Sequence, residues 1–454
     1  MIMGKMSKVD RFQWRVTAIA SGGYILDGYI LGIIGPVLGL MNKEFTLTAV
    51  DNGLLASSIL VGILLGAMVF GYVTDLVGRH KLMVIDLIAF ITISVLQFFV
   101  SSPEQLIILR FLMGIAIGAD YAIASPLVAE FASKKNRGPM LASVLTSFYI
   151  GYLGAVVVSM FMVNLGADSW RYMLISSAVP ALLIFIMRLG MPESPRWLIS
   201  KGRIEEAKKI MADYLDEHLD VSKINLEVPK TKYSTIFNKN YRKRTAFAAI
   251  FWACQVAPYF AIFSFAPTVL EGLKIKDPLI GELVLNFLVL GGAILGCLII
   301  NKVTRRKLVI IPFVIAIVPF LMLGFFPDMN STLVIIWFSV YAIAYSISSI
   351  LQSVYPPEMF PTEIRATAMG FASGGSRVGA AIGTFLLPIG IANIGMGPTM
   401  LFGAGVCLIG AIVSFLWAPE TGHLTIDEAS LSDIKIDELK ASNDFSAPVA
   451  RRRV

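Results

Sequence analysis

The sequence predicts an all-α membrane protein with twelve spanning helices, arranged as two pseudo-symmetric six-helix bundles. Three observations predict it. Charged residues are only 15% of the chain, hydrophobic residues are 56%, and mean hydropathy is +0.75. A soluble protein of 454 residues cannot hide that much apolar surface. Apolar runs of about 20 residues, the length that crosses a bilayer, recur along the whole chain. The chain also repeats itself about 227 residues apart, half its length. Glu130 with Arg137-Gly138 returns as Glu358 with Arg365-Ala366, and Pro192-Glu193-Ser194 returns as Pro419-Glu420-Thr421. Gly71-x-x-x-Asp75-x-x-Gly78-Arg79 returns, degraded, as Cys297-x-x-x-Asn301-x-x-Thr304-Arg305. Duplicated bundles place a binding site between them, near the bilayer midplane.

In chain order the spans are expected near 15–41, 50–74, 82–100, 106–130, 139–164, 170–191, 246–270, 279–300, 308–326, 332–355, 366–391 and 397–418. Each must be helical, because lipid offers its backbone polar groups no other partner. The first run is too long for a signal-peptide core and lacks an evident cleavage site, so it reads as a retained span. Residues 1–191 are then the N-terminal bundle and 246–421 the C-terminal bundle. Between them, 192–245 is rich in both signs of charge. Ile204, Ala207, Ile210, Met211 and Leu215 recur there at helical spacing, as in cytoplasmic helices linking two bundles. Residues 422–454 end in Arg451-Arg452-Arg453 and read as a mobile cytoplasmic tail.

About 31 of the 38 Lys and Arg fall in loops on one side, the side of both termini. Lys43, Arg171, Lys274 and Lys276 fall on the other, and Arg110, Arg188 and Arg377 lie within or at the ends of spans. The positive-inside rule therefore puts both termini in the cytoplasm of a multi-pass cell-membrane protein (the inner membrane, for a bacterium). The net charge of +7 follows from this bias and requires no nucleic acid partner. Cys254, Cys297 and Cys407 lie in apolar spans, away from any disulfide framework. His80, His218 and His423 have no metal-ligand spacing, so neither metal nor cofactor is expected. The expected partners are a small-molecule substrate, protons and the bilayer, with the protein itself a monomer.

The motifs together resemble the major facilitator superfamily over most of the chain. GYVTDLVGRHK at 71–81 resembles its loop between helices 2 and 3, although Leu76 stands where an Arg is usual. RFLMGIAIG at 110–118 resembles its helix-4 pattern. PESPRWL at 192–198, YPPEMFPTEIRA at 355–366 and APET at 418–421 resemble the sugar-porter and organic-ion branches, and the whole resembles bacterial metabolite:proton symporters. The resemblance implies a conformational latch on the cytoplasmic face. Asp75 would pair with Arg79, and Glu130 with Arg137 and Glu358 with Arg365 would act beside it. Helix 7 tests the sugar reading. Sugar porters carry glutamines, Gly-x-Asn and paired Tyr there. In CQVAPYFAIFSFAP at 254–267 Gln255 survives, but Pro258 replaces the Gly, Phe260 the Asn, and Ser264 and Phe265 the Tyr pair.

Charge inside a membrane is costly and marks function. Asp27 lies twelve residues past Arg15, about 18 Å along helix 1. Arg110 and Asp120 lie on helix 4, about 15 Å apart along the axis and about 80° apart around it, so both could border one cavity. Asp27 is the first candidate for proton coupling. By resemblance it would sit near Arg110, either as a switch whose pKa follows the conformation or as a static pair. Asp120 is the second candidate, and Pro126 after it is expected to kink helix 4. Arg377, deep in helix 11, matches an Arg that meets anionic substrates in organic-anion transporters; a guanidinium can hold a carboxylate in two bonds. Otherwise Arg377 neutralises Asp120 or Asp27. The pocket is completed by Tyr24, Tyr149 and Tyr152, by Gln255, Tyr259 and Phe263 on helix 7, and by Tyr341, Tyr345 and Gln352 with Ser348 on helix 10.

These features favour a proton-coupled secondary transporter of a small organic anion working by alternating access. A sugar or polyol transporter is the alternative, followed by an organic-cation or drug exporter. Helix 5, YIGYLGAVVVS, lacks the Gly-Pro of many exporters. No Ser/His/Asp pattern or His/Cys cluster supports an enzyme, and a channel would need no duplicated latch.

Overall fold

Regular structure is entirely helical over the residues that the computed structural model describes, 8–131, 137–214, 233–300 and 302–421. The N-terminal half contains α1 (Lys8–Gly32), α2 (Ile34–Phe45), α3 (Ala49–Val77), α4 (Arg79–Phe98), α5 (Pro103–Phe131), α6 (Arg137–Met162), α7 (Ser169–Ser176) and α8 (Ala178–Arg188). After α9 (Pro195–Ser200), α10 (Ile204–Tyr214) and a 3-10 turn at Tyr233–Phe237 comes the second half. It contains α11 (Arg242–Ser264), α12 (Ala266–Gly272), α13 (Pro278–Ile299), α14 (Arg305–Phe325), α15 (Ser331–Ser349), α16 (Leu351–Met359), α17 (Thr362–Ile394) and α18 (Met396–Trp417). Eleven helical segments among the described residues are long and apolar enough to cross a membrane. The helix α5, 29 residues long like α3 and packed along it, completes the twelve.

Four expected spans are each two helices. The breaks fall at Ile33, Ser177, Phe265 and Ile350. Pro36, Pro180 and Pro267 follow the first three and have no N–H for the carbonyls of Gly32, Ser176 and Phe263. By contrast α5 runs from Pro103 to Phe131 as one helix, and Pro126, where a kink is expected, lies inside it.

Helix pairing repeats the duplication. In the first half α1 packs on α6, α3 on α5 and α4 on α8; in the second, α11 packs on α17, α13 on α15 and α14 on α18. The halves meet along two seams, α3 with α17 and α6 with α13. Small residues make the tightest pairing possible: a Cβ on Gly62, Gly66, Gly114 or Gly118 would overlap the backbone of the facing helix in the α3–α5 pair. The expected amphipathic linker helix forms as α10, where Ala207 is buried against Leu198 and Ile199 of α9. Leu215 and the tail at 422–454 lie outside the described residues.

The repeated Pro-Glu-Ser/Thr motifs have a definite physical role. Glu193 accepts hydrogen bonds from the backbone N–H of Arg79 at 3.0 Å and of His80 at 3.2 Å. Glu420 accepts from those of Arg305 at 3.0 Å and Arg306 at 3.2 Å. Each carboxylate thus satisfies orphan donors at the positive end of a helix, α4 or α14, and ties the end of its half back to its third span. This corrects part of the expected latch. Glu358 pairs with Arg305 at 3.1 Å and accepts from Thr421 Oγ1 at 2.6 Å, whereas Arg365 Nε donates to the Phe360 carbonyl at 3.1 Å. Arg305 belongs to the degraded repeat and reaches Glu358 from the start of α14, while Arg365 is held by its own helix entry. The side chains of Asp75, Glu130 and Arg137 lie outside what the structure describes.

Candidate functional site

Four buried charged groups meet in the N-terminal half. Arg188, in the last turn of α8, donates through Nη2 to Asp120 on α5 at 2.7 Å. Its Nη1 donates to Asp86 on α4 at 3.3 Å and to the Met83 carbonyl at 3.2 Å. Gly23 on α1 leaves room for this pair: a Cβ there would lie 2.7 Å from Arg188 Nη2, and nearer still to Asp120. One turn further along α1 is Asp27, with no exposed surface and neither oxygen hydrogen-bonded among the described residues. The charged groups acting on it are Asp120, Asp86, Arg188 and Arg377. Three carboxyls therefore face one fully buried guanidinium.

This arrangement corrects two expectations. Asp27 is not paired with Arg110: the Arg110 Nε donates to the Leu55 carbonyl on α3 at 2.8 Å, and its electrostatic neighbour is Tyr152. Nor is Arg377 the partner of Asp120, which Arg188 holds, although it does act on Asp27, the other carboxyl it was expected to offset. Arg110 and Asp120 thus face different neighbours on α5.

Arg377 lies across the seam on α17, half-buried, between two rings. Its guanidinium carbon is 5.3 Å from the Tyr121 ring centre of the first half and 5.8 Å from that of Phe260 in the second. Its Nε makes no hydrogen bond among the described residues. Such faces attract a cation and hold it in a fixed plane. Tyr24 packs on Tyr121 at 5.1 Å, so α1, α5 and α17 converge here.

The remaining expected residues form one aromatic and amide patch. Tyr259 stacks on Tyr345 at 4.2 Å and leans on Phe263 at 4.6 Å. From the other half, Tyr149 and Tyr152 reach Tyr259 at 6.4 and 6.3 Å, and Tyr152 meets Phe263 at 6.2 Å. Tyr341 packs on Phe320 at 4.8 Å. Gln352 Nε2 donates to Gln255 Oε1 at 2.9 Å, and Gln255 Nε2 donates to Ser348 Oγ at 2.6 Å. The hydroxyls of Tyr152, Tyr259 and Tyr341 are buried and make no hydrogen bond among the described residues. A buried hydroxyl in that condition costs about 1–3 kcal/mol.

Sequence reasoning missed Asp86, the pairing role of Arg188, and Glu282 on α13, which is fully buried with neither oxygen hydrogen-bonded among the described residues. The signal was present: Asp86 and Glu282 are single acids inside the apolar runs expected at 82–100 and 279–300.

Comparison with known proteins agrees with this architecture. Residues 16–431 match the protein family described as Sugar (and other) transporter. The putative metabolite transport protein YaaU of Escherichia coli K12 is 39% identical over 95% of this chain and 97% of its own length. The inner membrane metabolite transport protein YgcS of the same organism is 36% identical over 92% of this chain and 94% of its own. Among solved structures, a partially occluded inward-open form of the xylose transporter XylE from E. coli superposes with a TM-score of 0.79 at 20% identity, covering 91% of this chain and 100% of that one.

Proposed function

Because the chain belongs to the sugar (and other) transporter family of the major facilitator superfamily, and is a transporter and not an enzyme, we propose that it is a proton symporter for a small organic anion. The observation that carries this reading is the position of Asp27. It lies between an acid-rich cluster already holding its own cation, Arg188, and a second cation, Arg377, on the opposite half. With Asp86 and Asp120 both on Arg188, Asp27 is the carboxyl left to take up a proton, since a buried unpaired carboxylate is strongly disfavoured. Arg377, in its plane between Tyr121 and Phe260, presents donors to a carboxylate, and the rings beside it suit a planar or apolar body. A substrate carboxylate on Arg377 and a proton on Asp27 cancel each other and leave the net charge of the site unchanged, so the two loads travel best together. The relatives that carry the words metabolite transport and inner membrane in their names support the same setting.

A neutral polyol or sugar is the second reading, favoured by the three tyrosyl hydroxyls. Against it, the two glutamine amides are bonded to each other and to Ser348. Arg377 separates the readings. Arg377→Lys keeps the charge but loses the planar fork, so affinity for a carboxylate should fall at least about tenfold, and Arg377→Ala should abolish it. Thermal shift of purified variants against grouped acids, polyols and amines reads this out. Acid binding unchanged in Arg377→Ala would remove the anion reading.

In this reading the basic end, with Glu193 and Glu420, faces the cytoplasm, by the positive-inside rule. Reporter fusions at Lys201 and beside Lys274 should then report opposite compartments; the same compartment for both overturns this orientation.

A further inference from the structure

At the end of the molecule opposite Glu193 and Glu420, the halves touch where the broken first span meets the broken seventh. Gly35 of α2 packs there on Pro267 of α12: a Cβ at Gly35 would lie 3.2 Å from Pro267 Cδ, 3.4 Å from the Ser264 carbonyl and 3.6 Å from Glu282 Oε1. Glu282 stands in the second turn of α13, directly behind this contact, with no exposed surface. Neither of its oxygens has a hydrogen-bond partner among the described residues. From α6 the ionisable group that acts with it is Tyr152, also fully buried, with Arg110 beyond Tyr152. On α12 the acid is Glu271, which is exposed, and on α2 Lys43 and Glu44 are exposed near its end. On α15 Tyr341 and Tyr345 are engaged with Phe320 and Tyr259. No cation therefore faces Glu282 from any element packed around it among the described residues.

We infer that Glu282 is a second protonation site, separate from Asp27, which carries a proton while α2 is closed against α12 and α13 and must release it for that end to open. An ionised carboxylate without a cation or donor is not tolerated in such a place, whereas the acid form is. Separating Gly35 from Pro267 would admit water to Glu282 and make the carboxylate affordable. The sign follows: the closed state holds the proton more tightly, so low pH favours closure and rising pH favours opening. The inference rests on the alternating-access reading but not on Asp27 or on the substrate.

The test uses paired spin labels at Lys43 and Glu271, both exposed, in the full chain with Cys254, Cys297 and Cys407 replaced. Between about pH 5 and about pH 9, the ratio of open to closed distances should rise by up to about tenfold per pH unit within the titration range, the limit set by one proton. Glu282→Gln should stay closed at every pH, and Glu282→Asp should keep the response with a moved midpoint. Asp27→Asn removes the transport proton, and the pH response that remains in that background should still be lost when Glu282→Gln is added, which separates this site from the transport proton. A response in Glu282→Gln equal to that of the parent overturns the inference. So does a midpoint that Glu282→Asp leaves in place, a readout that decides even if Glu282→Gln fails to fold. Uptake assays judge the symport reading independently.

Discussion

Asp27→Asn is expected to abolish proton-driven accumulation while leaving substrate exchange intact. One pH unit of gradient supplies about 1.4 kcal/mol per proton, enough for about tenfold accumulation with one proton per substrate. The variant should therefore equilibrate substrate to a ratio of about one, whatever the gradient. The reason is local. Asp27 is fully buried, makes no hydrogen bond among the described residues and is reached electrostatically by both Arg188 and Arg377. An amide keeps the size and the neutral state of the protonated acid but cannot release a proton. Counterflow of labelled substrate in liposomes measures the exchange arm. If uphill uptake in Asp27→Asn matches that of the parent, the coupling proton lies elsewhere, and Asp86 and Asp120 are next in line.

Arg188→Ala should cost the most stability of any single change in the first half. It strands Asp86 and Asp120, both under 5% exposed, without their cation. Removing one partner of a buried ion pair costs about 3–5 kcal/mol. Adding Asp86→Asn and Asp120→Asn should restore most of that, because neutral amides need no counter-charge. The readout is the thermal midpoint and monodispersity of the purified variants. A triple variant as unstable as Arg188→Ala alone would show that Arg188 matters through packing or through the Met83 carbonyl, not through charge. The same substitutions at Arg377 should leave stability nearly unchanged, because no carboxylate depends on it for a hydrogen bond among the described residues.

The sequence made the spans legible because each needs a run of about 20 apolar residues, and the helices fall where the runs do. Prolines 36, 180 and 267 stood in plain view, but hydropathy alone does not say where a span breaks. The repeat was legible too, although the role of Glu193 and Glu420 was not. A carboxylate capping a helix more than a hundred residues away leaves no local pattern. Partner choice was hidden for the same reason. Depth along a helix can be counted, which found Asp27, Asp120, Arg110 and Arg377. Which helix faces which depends on rotation and crossing set by packing, and this is why Asp120 belongs to Arg188 and Arg110 to the Leu55 carbonyl. Asp86 and Glu282 were single charges within apolar runs, visible to a scan for any ionisable residue in a span.

Arg377 sits between Tyr121 of one half and Phe260 of its own, with Asp27, Asp86 and Asp120 on the far side of the seam. Each half therefore owns only one part of the machinery, and fidelity is a property of the joint. A substitution that loosens the α3–α17 seam would touch neither load, yet it would let either half rock without reading the other. For a symporter of the kind proposed, the result would be slippage: protons would cross unaccompanied, or substrate would drift down its own gradient. Strictness of coupling is then set by how stiffly the halves engage, and it can be tuned at seam residues without altering what the protein binds.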